Sequence, residues 1–151
     1  MNTADNIPLV KRNAFVANIG LTLPGVDGTP LVQVTSPDDY AIEGADDAHF
    51  TFSRAGSWST PLTVHFVISG TSAAGADYGA PGSSITFPAN EHQVELPLSA
   101  LVGASGESEE TVALNLVDAA GYRRDRPASA VVTIVDGVAG STPVNPPVTL
   151  P

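Results

Sequence analysis

Leu62-Thr63-Val64-His65-Phe66-Val67-Ile68-Ser69 is the stretch on which the fold turns. Taken alternately, Leu62, Val64, Phe66 and Ile68 share one face and Thr63, His65, Val67 and Ser69 the other, which is the period of a strand with one buried side. The same alternation recurs outward in both directions. Residues 31–37 (LVQVTSP) read as a first strand, and HFTFSR (49–54) sets Phe50 and Phe52 against His49, Thr51 and Ser53. Downstream, SITF (84–87) turns Ile85 and Phe87 inward, and QVELPLS (93–99) does the same with Val94, Leu96 and Leu98. Pro97 has no N–H to give a neighbour, so that strand is expected at an edge or bulged. ETVALNLV (110–117) places Val112, Leu114 and Leu116 on one side, and SAVVTIVD (129–136) is apolar on both faces, as a central strand would be. Glycine, proline, aspartate and serine separate these runs, and no helical period extends over eleven residues or more. The expectation is an all-β, immunoglobulin-like antiparallel sandwich of about seven strands.

Composition limits what the sandwich can do. The 151 residues contain no cysteine, so neither disulfides nor thiolate metal sites hold the fold. Sixteen acidic residues against six basic ones give a net charge of −10. A body so charged, without a basic stripe, repels phosphate backbones and anionic lipid, so nucleic acid is not an expected partner. The opening MNTADNIPLVKR lacks the basic-then-apolar pattern of a secretion signal, and no later run has the length of a membrane span; neither signal nor span is expected.

The two ends differ from the middle. Residues 1–30 hold one strand-like stretch, around 13–23, between turn signals, and read as an extended arm. Residues 138–151 (VAGSTPVNPPVTLP) read as a proline-rich tail of extended structure. Both are expected to dock on the domain, on a neighbouring copy or on another chain.

No catalytic kit is visible. The three histidines stand on or beside strands with no nucleophile signature near them, and GASGE (103–107) is not a nucleophile elbow. The chain is read as not an enzyme. YRRDR (122–126) holds three of the six basic residues, Arg123, Arg124 and Arg126. It reads either as a solvated loop in which Asp125 pairs with an arginine or as a contact patch. Trp58, in the turn AGSWST, is either an exposed anchor of the same kind or folded back on the sandwich.

Five landmarks, in order, give the middle of the chain a family likeness. They are AIEG (41–44), SGTSAAGADY (69–78), ITFPANEHQVELPL (85–98), ESEETVALNL (107–116) and AVVTIVDG (130–137). With them residues 31–137 resemble a Calx-β domain. In calcium-binding members of that family, acidic residues from several loops converge at one end of the sandwich. Carried over position by position, the resemblance implies Glu43, Asp77, Glu107, Glu110 and Asp136 as calcium ligands, with Asp46 and Asp47 in a turn close to Glu43. Oxygen ligands from separate strand ends suit Ca²⁺, which takes about six to eight of them. The pattern departs from the family in two places. The aspartate pair expected before Glu107 falls on Val102 and Gly103, and the closing aspartate run shrinks to Asp136, Gly137 and Val138. The resemblance therefore implies one smaller site, completed by backbone carbonyls and water, or none; otherwise the acids are solvated loop carboxylates.

The function expected from these features is that of a non-enzymatic structural and interaction protein. It is an accessory of a large assembly such as a bacteriophage virion surface (capsid decoration), docking through arm and tail onto protein partners or copies of itself. The alternative is a calcium-binding adhesion module excised from a bacterial surface protein. The expected location follows: the virion surface, or in the alternative the extracellular face of a bacterial cell.

Overall fold

The computed structural model describes residues 28–104 and 106–137. The expected tail, and the expected arm apart from residues 28–30, lie outside the described residues.

Nine strands run in chain order: β1 (Leu31–Asp38), β2 (Tyr40–Ile42), β3 (Ala48–Ala55), β4 (Leu62–Gly70), β5 (Ser84–Phe87), β6 (Gln93–Leu98), β7 (Glu110–Leu116), β8 (Arg123–Arg124) and β9 (Ser129–Val135). They form two sheets, one in the order β6-β3-β1-β8 and the other β2-β9-β7-β4-β5. The seven expected strands are all present. The two additional ones are short pieces that alternation over three and two residues cannot reveal. Both pair in parallel, β2 with β9 and β8 with β1.

The inward residues named by the period-2 reading make the core. Phe50 and Phe52 from β3 face Val64 and Phe66 from β4 and Leu114 from β7, each at most 1% exposed. The Phe52 and Phe66 rings lie 5.6 Å apart, tilted by 44°, and so join the two sheets. Burying each such ring contributes about 1.5–3 kcal/mol. Tyr122 is also buried. Its hydroxyl accepts the His65 N–H and donates to the Val117 carbonyl, which ties the β7–β8 connection to β4.

Two features deviate from simple alternation. β9 is paired on both sides, as a central strand would be, but only its Val132 and Ile134 face is buried, and Val131 on the other side is 49% exposed. In β3, Arg54 continues the inward series after Phe50 and Phe52 and is only 4% exposed. Its guanidinium donates to four carbonyls: Nε to Glu91, Nη1 to Thr60, and Nη2 to Trp58 and Pro88, at 2.7–2.9 Å. It also lies 5.1 Å from the centre of the Phe87 ring. A buried cation needs such saturation, because each unsatisfied N–H in a low-dielectric interior costs heavily.

The sheet edges are blunted. β2 and β8 have three and two residues and β5 four, while the six-residue edge strand β6 carries Pro97. Short edges and proline deny a partner chain a ladder to extend. Among the described residues there is no helix, hence none that could cross a membrane.

What positions the acidic end is a change of sheet. β1 loses register between Thr35 and Asp38, where the Ser36 hydroxyl donates to the Asp38 and His49 carbonyls. Beyond this bulge the chain leaves the four-stranded sheet and enters the other one as β2. The β2–β9 register sets Ile42 opposite Val135, so Glu43 follows one strand and Asp136 the other at the same end of the sandwich.

A candidate cation site at one end of the sandwich

Glu43 begins a tight turn closed by mutual Ile42 and Asp46 backbone hydrogen bonds, and its own N–H continues the ladder by donating to the Val135 carbonyl. The turn needs glycine at 44, where φ is +64° and a Cβ would stand 2.5 Å from Val102 Cγ2. The Glu43 side chain is buried, 8% exposed, and its Oε2 accepts the Gly103 N–H at 2.9 Å.

Asp77 comes from the loop between β4 and β5. Its backbone N–H donates to the Ala73 carbonyl and its Oδ2 accepts the Ala73 N–H, a self-closed turn. The next residue, Tyr78, is sunk in the core, and the Asp77 carbonyl accepts the Leu101 N–H. Asp77 is thus a carboxylate 7% exposed and held from both sides. Glu107 approaches from the β6–β7 loop and is exposed. One oxygen each from Glu43, Asp77 and Glu107 lie within 4.8 Å of one another.

The other two residues implied by the resemblance stand in different relations to this trio. Glu110 opens β7 beside Asp77. A hydrogen bond shared with the Asp77 carboxyl, burial, and the Asp77 and Glu107 charges all raise its pKa above the usual 4.5. The nearby Ser72 hydroxyl opposes the rise; its oxygen is buried without a hydrogen bond of good geometry. Asp136 is turned to the loop instead. Its Oδ2 accepts the N–H groups of Gly106 and Glu107, so it holds the segment that carries Glu107. Asp47 also has a structural task, accepting from the Ala100 N–H and the Ser99 hydroxyl, and Asp46 is exposed with no such bond.

The two departures from the family pattern have physical consequences here. Gly103 lies against the trio, and a Cβ there would stand 2.9 Å from Glu43 Oε1 and 3.3 Å from Glu107 Oε2. Gly137 is pressed on the turn, with an added Cβ only 2.2 Å from the Glu43 carbonyl oxygen. Where more carboxylates were expected, the chain has a backbone donor and a close backbone approach.

Comparison with solved structures finds Calx domains among its matches. The apo form of the Calx CBD1 domain aligns over 70% of this chain and 97% of its own, with 20% identity and a TM-score of 0.57. The calcium binding domain CBD12 of CALX1.1 aligns over 69% of this chain with 21% identity and a TM-score of 0.58, this chain spanning 44% of that longer one. The Calx CBD2 domain aligns over 69% with 14% identity and a TM-score of 0.53. The chain has the Calx-β fold. No family sequence model matches it, and no curated protein matches it by sequence.

The expected contact residues of this Calx-β sandwich lie at the end away from the acids. Trp58 is 48% exposed, with its ring 5.2 Å from that of His92. Its carbonyl accepts from Asn90 N–H and from Arg54, so the loop beneath the indole is fixed. Arg123, Arg124 and Arg126 are exposed, but the expected loop is corrected in part, because Arg123 and Arg124 form β8. Asp125 accepts the Arg126 backbone N–H, and the Arg124 fork binds Asp118, not Asp125, at 2.6 Å through both Nε and Nη2. Arg54 escaped the sequence reading although its place in the Phe50-Phe52-Arg54 series marked it as inward.

Proposed function

We propose that this chain is a non-catalytic Calx-β module that binds a single calcium ion between Glu43, Asp77 and Glu107. The observation that carries the reading is the convergence of three carboxylate oxygens from three separate loops within 4.8 Å, two of the residues being buried. Like charges held that close repel, and a divalent cation turns the repulsion into attraction. Glu110, in its ionised form, would supply a further oxygen, and the buried Ser72 hydroxyl a neutral one. Asp136 would act from behind, by fixing the loop of Glu107. The description of a neighbour as a calcium binding domain supports the same reading. It also favours the adhesion-module alternative over the virion accessory. With few carboxylates, the site falls in the weak class, about 0.1–1 mM, that suits calcium-rich extracellular surroundings.

Calorimetric titration and thermal unfolding in excess Ca²⁺ and then in chelator test the proposal. At a hundredfold excess over the dissociation constant, binding adds about 2.7 kcal/mol, which raises the midpoint by roughly 5–15 °C for a domain of this size. Asp77→Asn and Glu107→Gln should each abolish the rise. No heat and no shift at several millimolar Ca²⁺ would refute it.

A further inference from the structure

The outward face of the five-stranded sheet carries none of the described Asp, Glu, Lys or Arg side chains, although the chain as a whole is at −10. The register lays this face out. Tyr40 of β2 pairs with Thr133 of β9, Val131 of β9 with Ala113 of β7, and Asn115 of β7 with Val67 of β4. On β4 and β5 the remaining outward positions are serine, threonine and His65. Three of the large exposed apolar side chains are here: Tyr40 at 46%, Val67 at 54% and Val131 at 49%.

We infer that this face is where a second copy of the chain docks, the two sheets packing face to face about a twofold axis. Charge selects the occupant. A partner of opposite sign would be drawn to the acidic loops, whereas another molecule at −10 can approach closely only over a surface where neither copy carries charge. Depletion of charge at the centre of a patch, with apolar and small polar groups in its place, is also how interface cores differ from ordinary surface. The area is adequate. Five strands about 4.8 Å apart, averaging roughly six residues at about 3.3 Å each, give just under about 500 Å² per copy in projection. Two copies together come close to about 1,000 Å², the lower end for a specific contact and the range of a weak dimer. With edges that are short or carry proline, face packing is the mode left to the described sheets.

The experiment is sedimentation velocity of the full chain from about 5 to 500 µM, at low and high salt, with Val67→Glu and Val131→Glu as variants. Both side chains are exposed and far from the carboxylate trio, so the variants should fold, which their melting midpoints will check. A concentration-dependent dimer is expected, strengthened by salt because salt screens the repulsion between two bodies at −10. Each variant, which places two new charges across the axis, should weaken it at least tenfold. A monomer at 500 µM, a dimer that salt dissolves, or a dimer indifferent to both variants would overturn the inference. So would a dimer that appears only after deletion of residues 1–27, which would make that segment the occupant of the face.

Discussion

The N–H of Gly103 donates to Oε2 of Glu43 at 2.9 Å, joining the β6–β7 loop to the turn after β2. A glycine whose absent Cβ would lie 2.9 Å from Glu43 Oε1 and 3.3 Å from Glu107 Oε2 works as a spacer between two carboxylates. Gly103→Ala therefore forces those flexible side-chain ends to move. In chelator its midpoint should stay within about 2 °C of the parent, since carboxylates rotate at little cost. The calcium-induced rise should fall by half or more, as melting curves with and without Ca²⁺ will read.

Glu110 gives a pH dependence of defined sign. Its pKa is raised by the shared hydrogen bond with Asp77, by burial and by the neighbouring charges. The folded state thus binds the proton more tightly than the unfolded one, and its contribution is fully present below the unfolded value near 4.5 and lost as pH rises through the folded value. In chelator, the stability of the parent relative to Glu110→Gln should decline from about pH 4.5 upward. Glu110→Gln should be the more stable of the two at pH 7, and with Ca²⁺ the order should reverse. Urea titrations from pH 4 to 8 measure both.

Gly137→Ala meets backbone, not a mobile side chain. Its Cβ would fall 2.2 Å from the Glu43 carbonyl oxygen, so the β2–β9 junction must separate. A loss of about 1–3 kcal/mol is expected, together with a weaker calcium response, because the displaced residue is itself a candidate ligand.

Arg54→Met removes a cation that serves four carbonyls of the β3–β4 and β5–β6 connections. Chemical unfolding should show a loss of about 2–3 kcal/mol, since the charge-assisted hydrogen bonds that tie the two connections together are lost. Arg54→Lys should recover only part of it, because an ammonium cannot reproduce the planar fork. Calcium binding should be unaffected in both, as the two ends share no contacts and distant effects add.

Residues with a period were legible in the sequence. Phe50, Val64, Phe66 and Leu114 declared the sandwich because alternation over six to nine residues has one physical reading, a half-buried strand. β2 and β8 were not legible, since three or two residues carry no period and both owe their existence to a parallel partner far along the chain. At the site, the family likeness pointed to five acids, and packing distributes them. Glu43, Asp77 and Glu107 meet, Glu110 stands beside Asp77, and Asp136 faces the loop backbone. Which oxygen is spent on a backbone N–H depends on loop conformation, and spacing does not encode it. Arg54 shows the reverse failure: the period extends to it, but a charged side chain carries no apolar signal to mark it as inward.

Leu31, where the sandwich begins, pairs with Ala55 beside the Arg54 cage, whereas Gly137, where it closes, presses on Glu43 at the opposite end. Traction applied through the flanking segments would therefore run along the strands. β1 would slide against β3, and β9 against β7, with every rung of each ladder resisting together and none peeling in turn. Pulled in this way the sandwich would act as a tie rod, and the bond strained at its far anchorage would be the one from the Glu43 N–H to the Val135 carbonyl.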